Sequence, residues 1–184
     1  MSRLAKLERK GSGEIGATVV EAAIAGVLFF FVVVVFFQLA LLARTTLSAS
    51  QGVKAAARAG AVAAENPDAD TDALTAVRTA SSGVSPDAFR QVVIYKAEQP
   101  GEPVPGGCLT SSQQGVCNRY TDSDLRSLGG GFTPGTAWPA AGRTVSPPSG
   151  TAYLGVNVVV ECRCSFVIPF PSQISRSAVI KIES

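Results

Sequence analysis

The apolar residues of this chain are distributed unevenly. From Ala22 to Ala43 the sequence reads AAIAGVLFFFVVVVFFQLALLA, uncharged, with Gln38 as its one polar side chain. Roughly 22 residues at the helical rise of ~1.5 Å span about 33 Å, enough to cross the hydrocarbon core of a bilayer. The pattern then turns alanine-rich over 44–64 (RTTLSASQGVKAAARAGAVAA), without proline, so the helix is predicted to continue as a stalk to about Ala64. Asn66-Pro67 supplies the stop.

Beyond that point the pattern shortens. Asp70 to Ser82 predicts a short helix capped by Asp70 or Thr71, with Ala73, Leu74 and Val77 as a narrow apolar stripe and Gly83 at its end. Phe89 to Glu98 (FRQVVIYKAE) reads as a strand. The following stretch, 99–150, holds most of the prolines and many glycines, including Gly129-Gly130-Gly131 and Pro147-Pro148. It reads as one long loop with a helical turn at Asp122–Leu128, capped by Asp122 or Ser123. Such a loop needs pinning in a compact domain, and burial of Trp138 is expected at its far end. Tyr153 to Val167 and Ile174 to Glu183 read as strands, broken by Pro169 and Pro171 and paired as an antiparallel hairpin. The expected class is α+β: a long N-terminal transmembrane helix continuing into a stalk helix, then a small, mainly antiparallel β domain with a long Pro/Gly-rich loop.

Composition narrows the chemistry. Of 184 residues, 46% are hydrophobic, but Val and Phe crowd into the Ala22–Ala43 run, so the core of the remaining domain is expected to be small. Formal net charge is +2, too near neutral to argue for a nucleic-acid partner. The absence of histidine removes the commonest general base and metal ligand together, and with them Ser-His-Asp and Cys-His arrangements. Gly129–Gly131 lacks the Lys-Ser/Thr of a phosphate cradle. The alternating Asp68, Asp70 and Asp72 lack the glycine turn and distal glutamate of a calcium loop, and read as a cap and a solvated loop. No enzymatic activity, cofactor or small-molecule substrate is expected.

The 4 cysteines, Cys108, Cys117, Cys162 and Cys164, all follow the apolar run. An even number in an extracytoplasmic region suggests two disulfides, with a four-thiolate zinc site as the competing arrangement. Cys162 and Cys164 share parity in the expected strand, which makes a bridge between them awkward without bending it. Cross-pairing to Cys108 and Cys117, in either order, is the favoured expectation. Cys162-Arg163-Cys164 also sets a cation beside two thiols, the best hint of redox chemistry in the chain.

The residues before the apolar run carry more information. The head bears Arg3, Lys6, Arg9 and Lys10 against Glu8 and Glu14, a basic bias that favours keeping this end in the cytoplasm. Arg44, Lys54 and Arg58 on the far side weaken that bias without reversing it. An ordinary cleaved secretory signal would have a shorter apolar core followed by a small-x-small site. Glu21 places one carboxylate at the mouth of the apolar run, where it is either solvated among headgroups or paired with a cation from another chain.

Gly16-Ala17-Thr18-Val19-Val20-Glu21 followed by a long apolar run resembles the class III signal of type IV pilin-like proteins. The phrase AARAGA (Ala56–Ala61) and the substantial C-terminal domain are similar to TadE-like minor pilins of tight-adherence (Tad/Flp) pilus systems. The resemblance implies that prepilin peptidase removes a leader, 1–16, by cutting between Gly16 and Ala17. It implies that 17–64 stays in the mature chain as a transmembrane and stalk helix, and that 65–184 forms an extracytoplasmic domain. Glu21, fifth after the cut, would then pair with the new ammonium of a neighbouring subunit and set register during assembly. The implied partners are the bacterial inner membrane, prepilin peptidase, other pilin subunits and the Tad assembly platform, and the implied role is pilus assembly and surface adhesion. The competing readings are an uncleaved single-pass protein binding an envelope component, a pseudopilin of a type II secretion system, and, more distantly, a secreted thiol oxidoreductase.

Overall fold

The computed structural model describes residues 8–143, 153–162 and 173–182, with the backbone alone for 8–17. Its elements, in order, are α1 (Glu8–Val62), α2 (Ala69–Ala80), β1 (Phe89–Ala97), β2 (Cys117–Thr121), α3 (Asp122–Ser127), β3 (Tyr153–Glu161) and β4 (Gln173–Lys181). The strands form one antiparallel sheet in the order β2-β1-β3-β4. The class is α+β: a long apolar N-terminal helix followed by a small four-stranded sheet.

α1 is continuous for 55 residues, ending within two residues of the expected Ala64. Its two halves have different surroundings. The C-terminal half buries Ala49, Val53, Ala56, Ala57 and Ala61, a stripe at helical spacing of small residues that lets other elements come close. α2 folds back antiparallel along this stripe. Gly52 makes the approach possible, because a Cβ there would lie 3.1 Å from the Val77 carbonyl oxygen and collide with the Ser81 side chain. Ala73, Leu74 and Val77, the stripe expected for α2, are all buried.

The sheet lays one face on this helical pair. Val92 and Ile94 of β1, Leu154, Val156, Val158 and Val160 of β3, and Ile174 of β4 point into the main core with Leu125 and Trp138. The alternate residues of β1 face the other way. Val93, Tyr95 and Ala97 make a second, smaller cluster with Cys108 and Cys117. The main core thus lies between the helices and one face of the sheet, with a small satellite core on the other face. The β3–β4 hairpin pairs as expected, from Tyr153↔Lys181 to Glu161↔Gln173.

The region expected as one long loop is divided. β2 pairs with β1 from Gln91↔Thr121 to Tyr95↔Cys117, and α3 follows directly. The N-cap of α3 is Thr121, one residue before the expected caps. Its backbone N–H donates to the Asp124 carboxylate at 2.7 Å, which satisfies a donor at the helix start. α2 departs from expectation in the same way. Asp68 occupies its N-cap position, and Asp70 lies inside the first turn with its side chain buried rather than capping or solvated.

Candidate functional site: the apolar helix and the domain that locks beneath it

Below the domain, α1 has nothing packed around most of its apolar surface. Phe29 is 71% exposed, Phe36 68% and Phe37 63%, and Val19, Val20, Ile24, Val27 and Leu28 are similarly open. In water this much exposed aromatic and aliphatic surface is unfavourable by tens of cal/mol per Å², and contiguous patches of such size mark membrane or protein contacts. The helix is long and apolar enough to cross a membrane. The first fully buried side chain is Gln38, 0% exposed, and the buried stripe continues toward the C-terminal end of the helix from there.

The residues singled out from the sequence fall along this helix. Gly16 and Ala17 lie in the backbone of α1, just over a turn before Glu21. Glu21 is exposed, at the N-terminal edge of the apolar segment. Ala22, Ala23, Ala25 and Gly26 follow it, all exposed, and a Cβ added at Gly26 would meet nothing within 4 Å. A second helix can therefore approach this surface closely.

The cysteines are arranged differently from expectation. Cys108 and Cys117 are bonded to each other, with their Cα atoms 6.1 Å apart, so neither can pair with Cys162 or Cys164. Cys162 is also disulfide-bonded, and Cys164 lies outside the described residues. The expected cross-pairing to Cys108 and Cys117 requires one straight strand through Cys162 and Cys164. β3 instead ends at Glu161, so strand parity does not govern the pair. Both Cys108 and Cys117 are fully buried, under the segment that joins β1 to β2. Among its tethers are the bridge, the Tyr95 hydroxyl donating to the Glu102 carbonyl at 2.7 Å, and the Gln113 N–H donating to the Cys117 carbonyl at 3.0 Å. Burial, with the Glu102 carboxylate adding to it, pushes the Tyr95 phenol up to about 12.

On the helix-facing side a buried polar cluster holds the segment after α3. Arg143 and Asp70 form an ion pair, Nη1 to Oδ1 at 2.6 Å. Asn118 donates to the other Asp70 oxygen and to the Trp138 carbonyl, both at 2.8 Å, and accepts from the Trp138 N–H at 2.8 Å. The Tyr120 hydroxyl donates to Asp70 and accepts from the Gly135 N–H. The Arg143 guanidinium also lies 4.5 Å from the centre of the Trp138 ring, a cation–π stack. Burial, then the adjacent Asp70 carboxylate, holds the Tyr120 phenol far above its ordinary range. Every member serves structure: α2 supplies Asp70, β2 supplies Asn118 and Tyr120, and the chain through Trp138 to Arg143 is tied to both. Trp138 is buried, as expected for the end of the loop. The rest of the cluster was missed, because its members are dispersed through the sequence and no local motif joins them.

No family model, curated protein or solved structure matches this chain.

The site thus consists of an exposed apolar helix with one carboxylate at its N-terminal edge and a small domain locked by a disulfide and a buried ion pair.

Proposed function

We propose that this chain is a minor pilin subunit of the TadE-like kind, held in the bacterial inner membrane by α1 before assembly. Its N-terminus faces the cytoplasm and its α+β domain lies outside. Prepilin peptidase cuts between Gly16 and Ala17, and the apolar helix then packs with other pilin helices at the assembly platform or in a surface pilus. Glu21 accepts the ammonium of a neighbouring subunit, a pair that gains strength as packing excludes water and that fixes register.

The observation that carries this reading is the pairing of two features on one helix. An exposed apolar segment with an exposed Glu21 at its inner edge runs unbroken into a stripe that serves as core for a folded domain. A plain anchor needs neither the carboxylate at that position nor rigid continuity with its domain.

Shearing cells that make Tad pili tests the reading. The chain should appear in the sheared surface fraction or with the isolated assembly platform, and Glu21→Ala should remain in the membrane with its domain folded. A Glu21→Ala chain that assembles as well as the unaltered one would remove the role given to this residue. A chain never recovered with pilus or platform components would point to the uncleaved, envelope-binding alternative.

A further inference from the structure

Where the domain meets the apolar run, the fold leaves a cavity of about 220 Å³. Leu41 and Thr45 of α1 form one wall, Val84 and Asp87 of the connection between α2 and β1 a second, and Glu161 at the end of β3 a third. Leu41 belongs to the Ala22–Ala43 run and Thr45 lies beyond it, so the cavity straddles the end of the apolar length. Charges of both signs surround it. Arg44 stands beside the wall at Gly83, where an added Cβ would lie 3.5 Å from the Arg44 Nε. Arg44 is exposed and takes no part in the ion pairs among the described residues. On the domain side Arg90 holds Glu161, while Arg126 is shared between Asp87 and Asp122 at 3.4 Å from each. Three carboxylates there share two guanidiniums, which leaves one negative charge over.

We infer that this cavity binds the headgroup of a zwitterionic phospholipid with a primary ammonium, of the phosphatidylethanolamine type, from the leaflet at the C-terminal end of the apolar run. The inference rests on the membrane placement of α1 and uses no cleavage step. Arg44 is the first cation after the run, which sets it at the level of the lipid phosphates. Its guanidinium donates to the phosphodiester oxygens, and the ammonium donates to Asp87 and Glu161, where the surplus negative charge lies. The glycerol end rests on Leu41, and the acyl chains stay in the bilayer along the exposed side chains below it. The cavity is smaller than the roughly 300–1,000 Å³ of pockets that enclose a whole small ligand, which suits a headgroup alone. The same chemistry rejects other heads. An anionic head without an amine satisfies Arg44 but sets nothing against the carboxylates. A trimethylated ammonium has no N–H to donate and is recognised by aromatic faces, and no aromatic side chain is among the described lining residues. A lipid held there ties the domain to the bilayer surface.

Lipid competition on the full chain tests this. The protein in mild detergent is offered equal amounts of ethanolamine-, choline- and glycerol-headed phospholipids with identical acyl chains, and native mass spectrometry counts the lipid retained. The ethanolamine lipid should be retained in preference, one per chain. Arg44→Gln and Asp87→Asn, both at exposed positions, should each weaken that retention severalfold while thermal unfolding stays unchanged. Arg58→Gln, as exposed but several turns further along α1, should leave it intact. Ser85→Trp, which places bulk in the cavity from an exposed position, should abolish retention and serves as the second test if a charge variant unfolds. Equal retention of the three lipids, a preference for the anionic glycerol head, or an ethanolamine preference that survives the Arg44, Asp87 and Ser85 changes would overturn the inference. Alkaline carbonate washing of native membranes reports separately on the placement of α1. A chain that resists the wash yet shows no headgroup preference overturns this inference alone, and a chain released by the wash overturns the placement and the inference with it.

Discussion

Arg143 and Asp70 meet at 2.6 Å with side chains 0% and 3% exposed, an ion pair shut away from water inside the domain. The pair joins the first turn of α2 to the end of the described segment after α3. Asn118 and Tyr120 of β2 complete the coordination of the same carboxylate. A buried charge left without its partner is far more costly than the pair is favourable. The cluster therefore acts as a lock for the 129–143 segment.

Arg143→Ala should destabilise the domain by about 3–5 kcal/mol, the usual effect of leaving one buried charge alone. Replacing both partners, Arg143→Met with Asp70→Leu, should recover a substantial part of that loss. Denaturant unfolding of the full chain in detergent, followed through the fluorescence of Trp138, measures both. An Arg143→Ala chain within about 0.5 kcal/mol of the unaltered one, the scatter of ordinary surface changes, would contradict the lock.

The two shifted phenols set an alkaline limit. Both hold their protons more tightly in the folded chain than an ordinary tyrosine, whose value is about 10. Stability from this source is complete below pH about 10 and falls as pH rises, because the unfolded chain then binds fewer protons than the folded one. For Tyr95 the loss develops between about 10 and about 12. Tyr120→Phe should lower stability at neutral pH by about 1 kcal/mol through its lost hydrogen bonds, and should make the alkaline decline shallower. Unfolding midpoints measured across that pH range decide it, and an unchanged slope in both Tyr120→Phe and Tyr95→Phe would count against burial as the cause.

Gly155 of β3 lies directly across from Tyr95 of β1, and any Cβ there would overlap the Tyr95 ring. Gly155→Ala should therefore cost about 1–3 kcal/mol, the range of an overpacked core. Tyr95→Leu in the same chain should relieve part of it. A double-mutant cycle on thermal unfolding should give a coupling above about 0.5 kcal/mol; additivity would show that the ring and the glycine do not meet.

Opening the Cys108–Cys117 bridge by Cys108→Ala with Cys117→Ala should destabilise the chain by about 2–3 kcal/mol, the scale for a short closed loop. Proteolysis under non-reducing conditions should yield one fragment joining 108 to 117. A fragment joining either residue to Cys162 would contradict the pairing.

Much of the fold was legible because its signals are local. The apolar run and the proline-free alanine stretch mark α1, and the Ala73, Leu74, Val77 stripe marks α2. Aliphatic runs between turn signals mark β1, β3 and β4. What was missed depends on partners remote in sequence. β2 is five residues, CNRYT, with little hydrophobic content, and it is a strand because β1 offers it an edge and Asp70 receives Asn118 and Tyr120. Asp70 reads as a cap because three alternating acids before a helix normally do, and only Arg143 makes its burial tolerable. The disulfide expectation failed because it extended β3 through Cys162 and Cys164, whereas the strand stops at Glu161. At the candidate site, the apolar segment and Glu21 were legible at once, since a residue needs no distant partner to stand exposed on a helix.

In the proposed reading 1–16 is a leader and the working subunit begins at Ala17. Intact mass and N-terminal sequence of the protein from its native membrane, with and without prepilin peptidase, test it most directly. A mature chain beginning at Ala17 is expected in the presence of the peptidase and the uncut chain in its absence. A start at Met1 or Ser2 in both strains would contradict it and leave α1 as a plain anchor.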